Sequence, residues 1–191
     1  MDVGTPSQTS GETKHRAMLR ALCEGLVDIA SLDAAAMIVS DAMVPDPFRQ
    51  LLVHSEHMTT RLERHCGRAV ALSVLSSRRD GDSYRRMILL RPKDKPGAVE
   101  FGIVRIDLRQ IAADVKRDIL DQVAPLGEVL IRHNVLRRVE PRFYLRFAPT
   151  APFMKHFRPG LTATYGRLAV IHYDTQPAIE LLEVVSGTTG E

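Results

Sequence analysis

The chain has 191 residues, of which 45% are hydrophobic and 26% are charged. This composition is typical of a soluble globular protein and excludes a disordered or fibrous one. The net charge is +3, and 21 of the 26 basic residues are arginine. Arginine binds carboxylates through two parallel hydrogen bonds, so the bias fits an anionic ligand, although a GC-rich genome is the simpler explanation of the total.

The N-terminal quarter is predicted to be helical. Residues 1–12 are rich in Gly, Ser and Thr and are expected to form a disordered tail. From Thr13 onward, apolar residues recur every three or four positions and predict an amphipathic helix. A second helix is predicted between an N-cap at Asp33 and Pro45, and a short third helix follows within residues 46–52.

The rest of the chain is predicted to be mainly strands. Six apolar or alternating stretches are separated by turn residues, with Asp80-Gly81 marking a hairpin between the first two. The predicted strands are Val70–Leu75, Tyr84–Leu90, Val99–Ile106, Val135–Phe147, Ala163–Tyr173 and Ala178–Val185. One helix over residues 108–123 interrupts them. The pattern predicts an α+β fold, a six-stranded antiparallel sheet flanked by helices, in a domain over residues 46–191 with a helical extension over 13–45.

Glu183 is the most informative candidate for a functional residue. Alternation along the last strand places Glu183 on one face with Leu181 and places Glu180 on the other with Leu182. One of the two glutamates therefore faces apolar side chains, whichever face is the core. A carboxylate in that position is costly unless it is paired or protonated, and such groups are candidates for acid or base chemistry. An edge strand with both faces partly wet explains the pattern about equally well.

The doublet Arg85-Arg86 leads into the apolar run at residues 87–90. Alternation sends the two arginines to opposite faces of the strand, so one of them faces the core and requires an anionic partner. A structural glutamate is the simpler partner. The alternative is a substrate carboxylate, held by the fork of the guanidinium.

The cysteines and the N-terminal residues indicate the cellular compartment in which the protein is expected. Cys23 and Cys66 are far apart, with neither CxxC nor zinc-site spacing, and the first 16 residues contain no apolar signal segment. No apolar run reaches the roughly 18 residues that span a bilayer. We therefore expect a reduced, cytoplasmic protein without a membrane partner.

Other kinds of site are not indicated by the sequence. His54, His57 and His65 lack the HExxH pattern, so no metal site is expected. Neither a glycine-rich nucleotide loop nor GxSxG is present, and the arginine doublets are dispersed without a helix-turn-helix pattern, so nucleic acid is not an expected partner. The arginines leave a small carboxylic acid open as a partner, no cofactor motif is present, and the oligomeric state is not indicated.

Four short motifs occur in an order that resembles a known family. They are Met58-Thr59-Thr60-Arg61-Leu62-Glu63 after Asp46-Pro47, Arg85-Arg86 before the apolar run, Pro125-Leu126-Gly127, and Gln176-Pro177 followed by Glu183. On these motifs, residues 46–185 resemble the chorismate pyruvate-lyases, also called 4-hydroxybenzoate synthases, and among them the actinobacterial-type branch. The family usually has Thr immediately before the glutamate, where this chain has Leu182.

The resemblance implies a cofactor-independent enzyme with a closed pocket for an aromatic acid. Such an enzyme eliminates pyruvate from chorismate and leaves 4-hydroxybenzoate. By this resemblance Arg86 binds a ligand carboxylate and Glu183 faces the ring oxygen, both as catalytic residues, and Met58, Leu126 and Gly127 complete the substrate site. Two alternatives stay open: a same-fold enzyme of a secondary-metabolite pathway acting on another cyclic or aromatic acid, and a non-catalytic module that binds a small acid.

Overall fold

The computed structural model describes residues 6–190, with side chains from residue 13 onward, as an α+β fold with one antiparallel sheet flanked by helices. The helices are α1 (Pro6–Cys23), α2 (Ile29–Ala35), α3 (Phe48–Leu52), α4 (Met58–Cys66), α5 (Ala113–Leu120) and α6 (Leu126–Arg132). The strands are β1 (Ala36–Val39), β2 (Val70–Asp80), β3 (Ser83–Pro92), β4 (Glu100–Asp107), β5 (Arg137–Phe147), β6 (Thr164–Tyr173) and β7 (Gln176–Val185). Their order in the sheet is β1-β5-β6-β7-β4-β3-β2, and every neighbouring pair is antiparallel.

The sheet has seven strands, so the prediction of six is wrong. The extra strand is β1, in the segment predicted as a helix from Asp33 to Pro45. The helix there is α2, which is capped by Asp28 and ends at Ala35. The next residues pair with β5, Ile38 opposite Leu145, because β-branched side chains suit a sheet edge and the pairing with β5 outweighs a weak helical pattern.

The other sequence-based boundaries differ less. Helix α1 begins at Pro6, before the predicted start at Thr13, and the tail prediction for residues 1–5 lies outside the described residues. The hairpin at Asp80-Gly81 is confirmed, with Asp80 paired to Ser83 across the turn. The helix predicted over residues 108–123 is a 3-10 turn followed by the shorter α5. Within the described chain, no helix is long and apolar enough to cross a membrane.

The two faces of the sheet have different coverings. On one face, α1, α2 and the 3-10 turn Pro152–His156 enclose an aromatic core, in which the ring of Phe153 lies 4.9 Å from that of Phe101 and 5.0 Å from that of Phe147. Residues of the predicted N-terminal extension therefore belong to the main core. On the other face, α3 to α6 cover β3, β4, β6 and β7. The buried charged side chains lie on this second face.

Candidate functional site

A cavity lies between the second face of the sheet and the first turns of α4 and α6. All five residues that were singled out from the sequence line it: Met58, Arg86, Leu126, Gly127 and Glu183. Its free space is about 60 Å³, smaller than the roughly 150 Å³ of an apolar cavity that admits benzene. A ligand with a six-membered ring therefore requires lining side chains to move, and the unbranched, flexible Met58 is suited to that.

Three adjacent strands bring the polar side chains of the cavity together. Arg86 on β3 is paired with Val104 on β4, and Gly102 on β4 is paired with Glu183 on β7. Alternate residues of a strand share a face, so Glu100 points to the same side as Gly102 and Val104. A Cβ atom at Gly102 would lie 3.4 Å from Oε1 of Glu100. The glycine therefore leaves the space between the charged groups open.

Arg86 is buried without a carboxylate partner. Its side chain is 1% exposed, and among the described residues no acceptor lies within hydrogen-bond distance of its Nε and Nη1 atoms. Burial lowers the pKa of Arg86. The interaction with the Tyr84 hydroxyl partly opposes this decrease. Arg85 points to the opposite face and lies 3.3 Å from the carboxylate of Glu24. Arg86 is therefore the arginine of the doublet that faces the cavity.

Glu183 is paired with a buried arginine that the sequence analysis did not identify. The Nε of Arg167 donates to Oε2 of Glu183 at 2.6 Å. The same guanidinium donates through Nη1 to the carbonyl oxygens of Leu52 at 3.1 Å and His54 at 2.7 Å, and through Nη2 to that of Glu56 at 3.4 Å. Arg167 thus connects the cavity carboxylate to the loop between α3 and α4. Hydrogen bonds from all three nitrogens of the guanidinium therefore fix its position.

Glu180 takes the opposite side of β7 from Glu183. It forms an ion pair with Arg105, and both side chains are 32% exposed. Alternation alone did not show which of the two glutamates faces the core, and this arrangement answers that question. Glu183 is the one that faces the cavity.

Glu100 is a second carboxyl group in the cavity wall. It is 3% exposed, and its Oε2 atom contacts no hydrogen-bond donor among the described residues. Burial, followed by the negative charge of Glu183, holds the pKa of Glu100 well above its usual range, although the charge of Arg167 opposes this. The protonated, uncharged form of Glu100 is therefore favoured more strongly than that of a free carboxyl group.

Two histidines of the loop between α3 and α4 lie beside arginines. Nε2 of His57, in the cavity wall, accepts a hydrogen bond from Nε of Arg137. Nε2 of His54 donates to the carbonyl oxygen of Leu51 at 2.6 Å, and its Nδ1 lies 3.4 Å from Nη1 of Arg167. Burial and the neighbouring arginines lower the pKa of each histidine to about 4. In the part of the chain that the structure describes, no cluster of three His, Cys, Asp or Glu could hold a metal ion.

The junction before α6 forms part of the cavity wall opposite the sheet. Pro125 precedes the helix, and Leu126 and Gly127 form its first turn. A Cβ atom at Gly127 would lie 3.0 Å from Oγ1 of Thr59 and 3.2 Å from Cβ of His57. A larger residue would push these side chains away, so glycine favours the close approach of α6 to α4 and the Pro-Leu-Gly motif shapes the wall.

The sequence analysis did not identify Glu100 and Arg167, although each is a charged residue within an apolar strand, as Glu183 is. Each is the one charged residue of an otherwise apolar stretch, Glu100 in residues 98–104 and Arg167 in residues 165–171. Alternation places each on the second face of the sheet, but it does not show which buried charges meet across strands. That information comes from the strand order, in which β4 and β7 are neighbours and β6 follows β7.

The cavity combines a cation that lacks an anion with two carboxyl groups, of which one is paired with Arg167 and the other has an oxygen without a partner among the described residues. Arg86 lies at one end, Glu183 and Glu100 are displaced along β4, and apolar side chains such as Ile88 and Leu181 form the walls between them. Small-molecule sites have this character, an apolar enclosure with a few placed polar groups. Comparisons of the chain with protein-family models and with curated proteins give no match.

Proposed function

We propose that the cavity binds a small carboxylic acid and that the protein is a chorismate lyase, which eliminates pyruvate from chorismate and leaves 4-hydroxybenzoate. We also propose that the antiparallel sheet and its helices form the chorismate lyase-like fold. The observation that carries the proposal is the buried Arg86, which lines the cavity and whose Nε and Nη1 have no acceptor among the described residues. A ligand carboxylate supplies the acceptor that this guanidinium lacks, through charge-assisted hydrogen bonds.

The cost of burying Arg86 supports a ligand over a structural role. An unpaired buried charge destabilises a fold, and side chains in such positions are normally paired. The carboxyl groups of the cavity do not satisfy these atoms, because Glu183 is bound to Arg167 and Oε2 of Glu100 has no hydrogen-bond partner among the described residues. The anion that Arg86 requires therefore comes from outside the described chain.

The proposed reaction requires positioning and one proton acceptor. The ether bond at C3 of chorismate breaks, the proton at C4 leaves, and the ring becomes aromatic as enolpyruvate departs. Enolpyruvate takes up a proton at its methylene carbon and becomes pyruvate, so the atoms balance without a cofactor. In this proposal Arg86 holds the ring carboxylate, and the carboxylate of Glu183, oriented by Arg167, accepts the C4 proton.

The test is to mix the purified protein with chorismate and to follow pyruvate and 4-hydroxybenzoate together. We expect equimolar release of both products. Glu183→Gln should lower the rate by about 100-fold or more, the usual contribution of a general base. Glu180→Gln is the matched control, because Glu180 lies on the opposite face, paired with Arg105, and its loss should leave the rate unchanged.

Other outcomes contradict parts of the proposal. If chorismate is not consumed but 4-hydroxybenzoate raises the unfolding temperature, the lyase activity is wrong and a binding module or an enzyme for another acid is supported. If the protein neither turns over chorismate nor binds 4-hydroxybenzoate, the carboxylate site at Arg86 is wrong as well. Equal losses in Glu183→Gln and Glu180→Gln contradict the role of Glu183.

A further inference from the structure

We propose that Glu100 donates a hydrogen bond to a neutral oxygen of the ligand while Arg86 holds the ligand carboxylate. The cavity then takes acids that carry a hydroxyl or ether oxygen away from the carboxylate, and it discriminates against acids that lack one. This inference rests on the proposed function in one respect, which is that the same cavity is the ligand site.

The position of Glu100 supports a role toward the cavity. It lines the cavity with Gly102 and Glu183, and its side chain leans toward Gly102, where a Cβ atom would meet its Oε1 at 3.4 Å. Its Oε2 atom is buried and meets no donor in the described part of the chain. A buried carboxyl oxygen without a partner costs stability unless a ligand or a bound water satisfies it.

The charges around Glu100 explain why it acts as a donor. Burial disfavours a charge on Glu100, and Glu183 on β7 repels a second negative charge, whereas Arg167 on β6 already binds Glu183. Arg86 on β3 and His57 in the α3–α4 loop are the other charged or titratable groups of the cavity wall. Burial lowers the pKa of His57 to about 4, so it is neutral and offers no counter-charge. A protonated carboxyl has one O–H to donate, and the described chain provides no acceptor for it.

The two glutamates therefore have complementary roles toward one ligand oxygen. Glu183, bound to Arg167, can only accept a hydrogen bond, and Glu100 can donate one. A ligand hydroxyl can do both at once, since it has one proton and two lone pairs. Environments that keep one carboxyl charged and its neighbour neutral are a known way of dividing such roles.

The first experiment measures the binding of 4-hydroxybenzoate and benzoate, which lacks the ring oxygen, to the wild type, Glu100→Gln and Glu100→Leu. We expect Glu100→Gln, which keeps an N–H donor, to retain the preference for 4-hydroxybenzoate within about threefold. Glu100→Leu should reduce that preference by about tenfold, the value of one hydrogen bond, and leave benzoate binding unchanged. Calorimetric titration at neutral pH gives both affinities.

A second measurement does not depend on a ligand or on a folded leucine variant. The infrared difference spectrum between the wild type and Glu100→Gln at neutral pH should contain the carbonyl stretch of a protonated carboxylic acid. Glu100→Gln should also have a higher unfolding temperature than the wild type at pH 7, and this difference should disappear as the pH falls toward 4.5, the ordinary pKa of a free Glu. The sign follows because the unfolded carboxyl ionises above that pH while the folded one does not.

Three results overturn the inference. They are an infrared spectrum without the carboxylic acid band, an unchanged preference for 4-hydroxybenzoate in Glu100→Leu, and an absence of 4-hydroxybenzoate binding to the wild type. Failure to release pyruvate from chorismate contradicts the proposed function alone, since the binding preference and the infrared band do not require turnover. A lyase whose preference and spectrum are independent of Glu100 contradicts this inference alone.

Discussion

Arg86 and Arg167 lie in the same layer of the molecule, on either side of the adjacent strands β4 and β7, and each is at most 1% exposed. Arg167 donates from Nε, Nη1 and Nη2, to the carboxylate of Glu183 and to carbonyl oxygens of the α3–α4 loop. Arg86 has an accepting partner for neither Nε nor Nη1 among the described residues. The same type of side chain thus has acceptors for all three nitrogens beside Glu183, and for neither Nε nor Nη1 in the cavity wall.

This difference separates a structural role from a functional one. The contacts of Arg167 stabilise the fold, because the guanidinium neutralises one buried carboxylate and supplies donors to carbonyl groups of a loop. The position of Arg86 costs stability in the absence of a ligand, since its desolvation is not compensated. Side chains that break the rules of a well-satisfied core are expected at functional sites.

Arg167→Met should have the largest effect on the fold. The variant leaves Glu183, whose side chain is only 12% exposed, without a counter-charge and removes the donor from the carbonyl oxygen of His54, so we expect the free energy of unfolding to fall by about 3–5 kcal/mol. Urea unfolding measures it. The control is Arg105→Met, whose partner Glu180 is 32% exposed, and which should cost no more than about 1 kcal/mol. Equal losses in the two variants contradict the structural role of Arg167.

Arg86→Met should act on binding. Loss of the charge-assisted hydrogen bonds should weaken the affinity for 4-hydroxybenzoate by about 10- to 150-fold, equivalent to 1.5–3 kcal/mol. Arg85→Met is the matched control, because Arg85 points to the other face toward Glu24 and its loss should leave the affinity unchanged. Calorimetric titration distinguishes the two variants, and an Arg86→Met protein that binds like the wild type contradicts the site.

The smallest expected effect is on the loss of stability at acidic pH. The pKa of His54 and His57 is lowered from 6.5 to about 4 in the folded protein, so between these values the unfolded chain binds more protons than the folded one. Stability is therefore retained above pH 6.5 and decreases as the pH falls toward 4. His57→Gln removes one of the two groups and should reduce the histidine contribution to this slope by roughly half, measured as unfolding temperature against pH. An unchanged slope shows that His57 is not held neutral.

The general architecture was accessible from the sequence because its strands carry strong period-two patterns. The α+β fold, the antiparallel pairing and the hairpin at Asp80-Gly81 follow from local signals. β1 was missed, since its four residues become a strand only through pairing with β5. Local pattern contains no information on such a distant partner.

Part of the candidate site could also be predicted from local sequence patterns. Alternation identifies Arg86 and Glu183 as residues that face opposite ways from Arg85 and Glu180, but the parity of a strand does not show which face is covered by α4 and α6. The pairing of Glu183 with Arg167 depends on β6 and β7 being neighbours in register. The raised pKa of Glu100 comes first from its burial and then from the charge of Glu183 on the neighbouring strand, so it could be found only after the strand order was known.

The most direct measurement is the stability of Arg86→Met beside that of Arg167→Met, by urea unfolding without ligand at neutral pH. If Arg86 is kept for a ligand, its replacement should raise the free energy of unfolding by about 1–3 kcal/mol, the cost of an unsatisfied buried group, while Arg167→Met lowers it. Opposite signs support the assignment of Arg86 to the ligand. A loss of stability in Arg86→Met as large as that in Arg167→Met would contradict it.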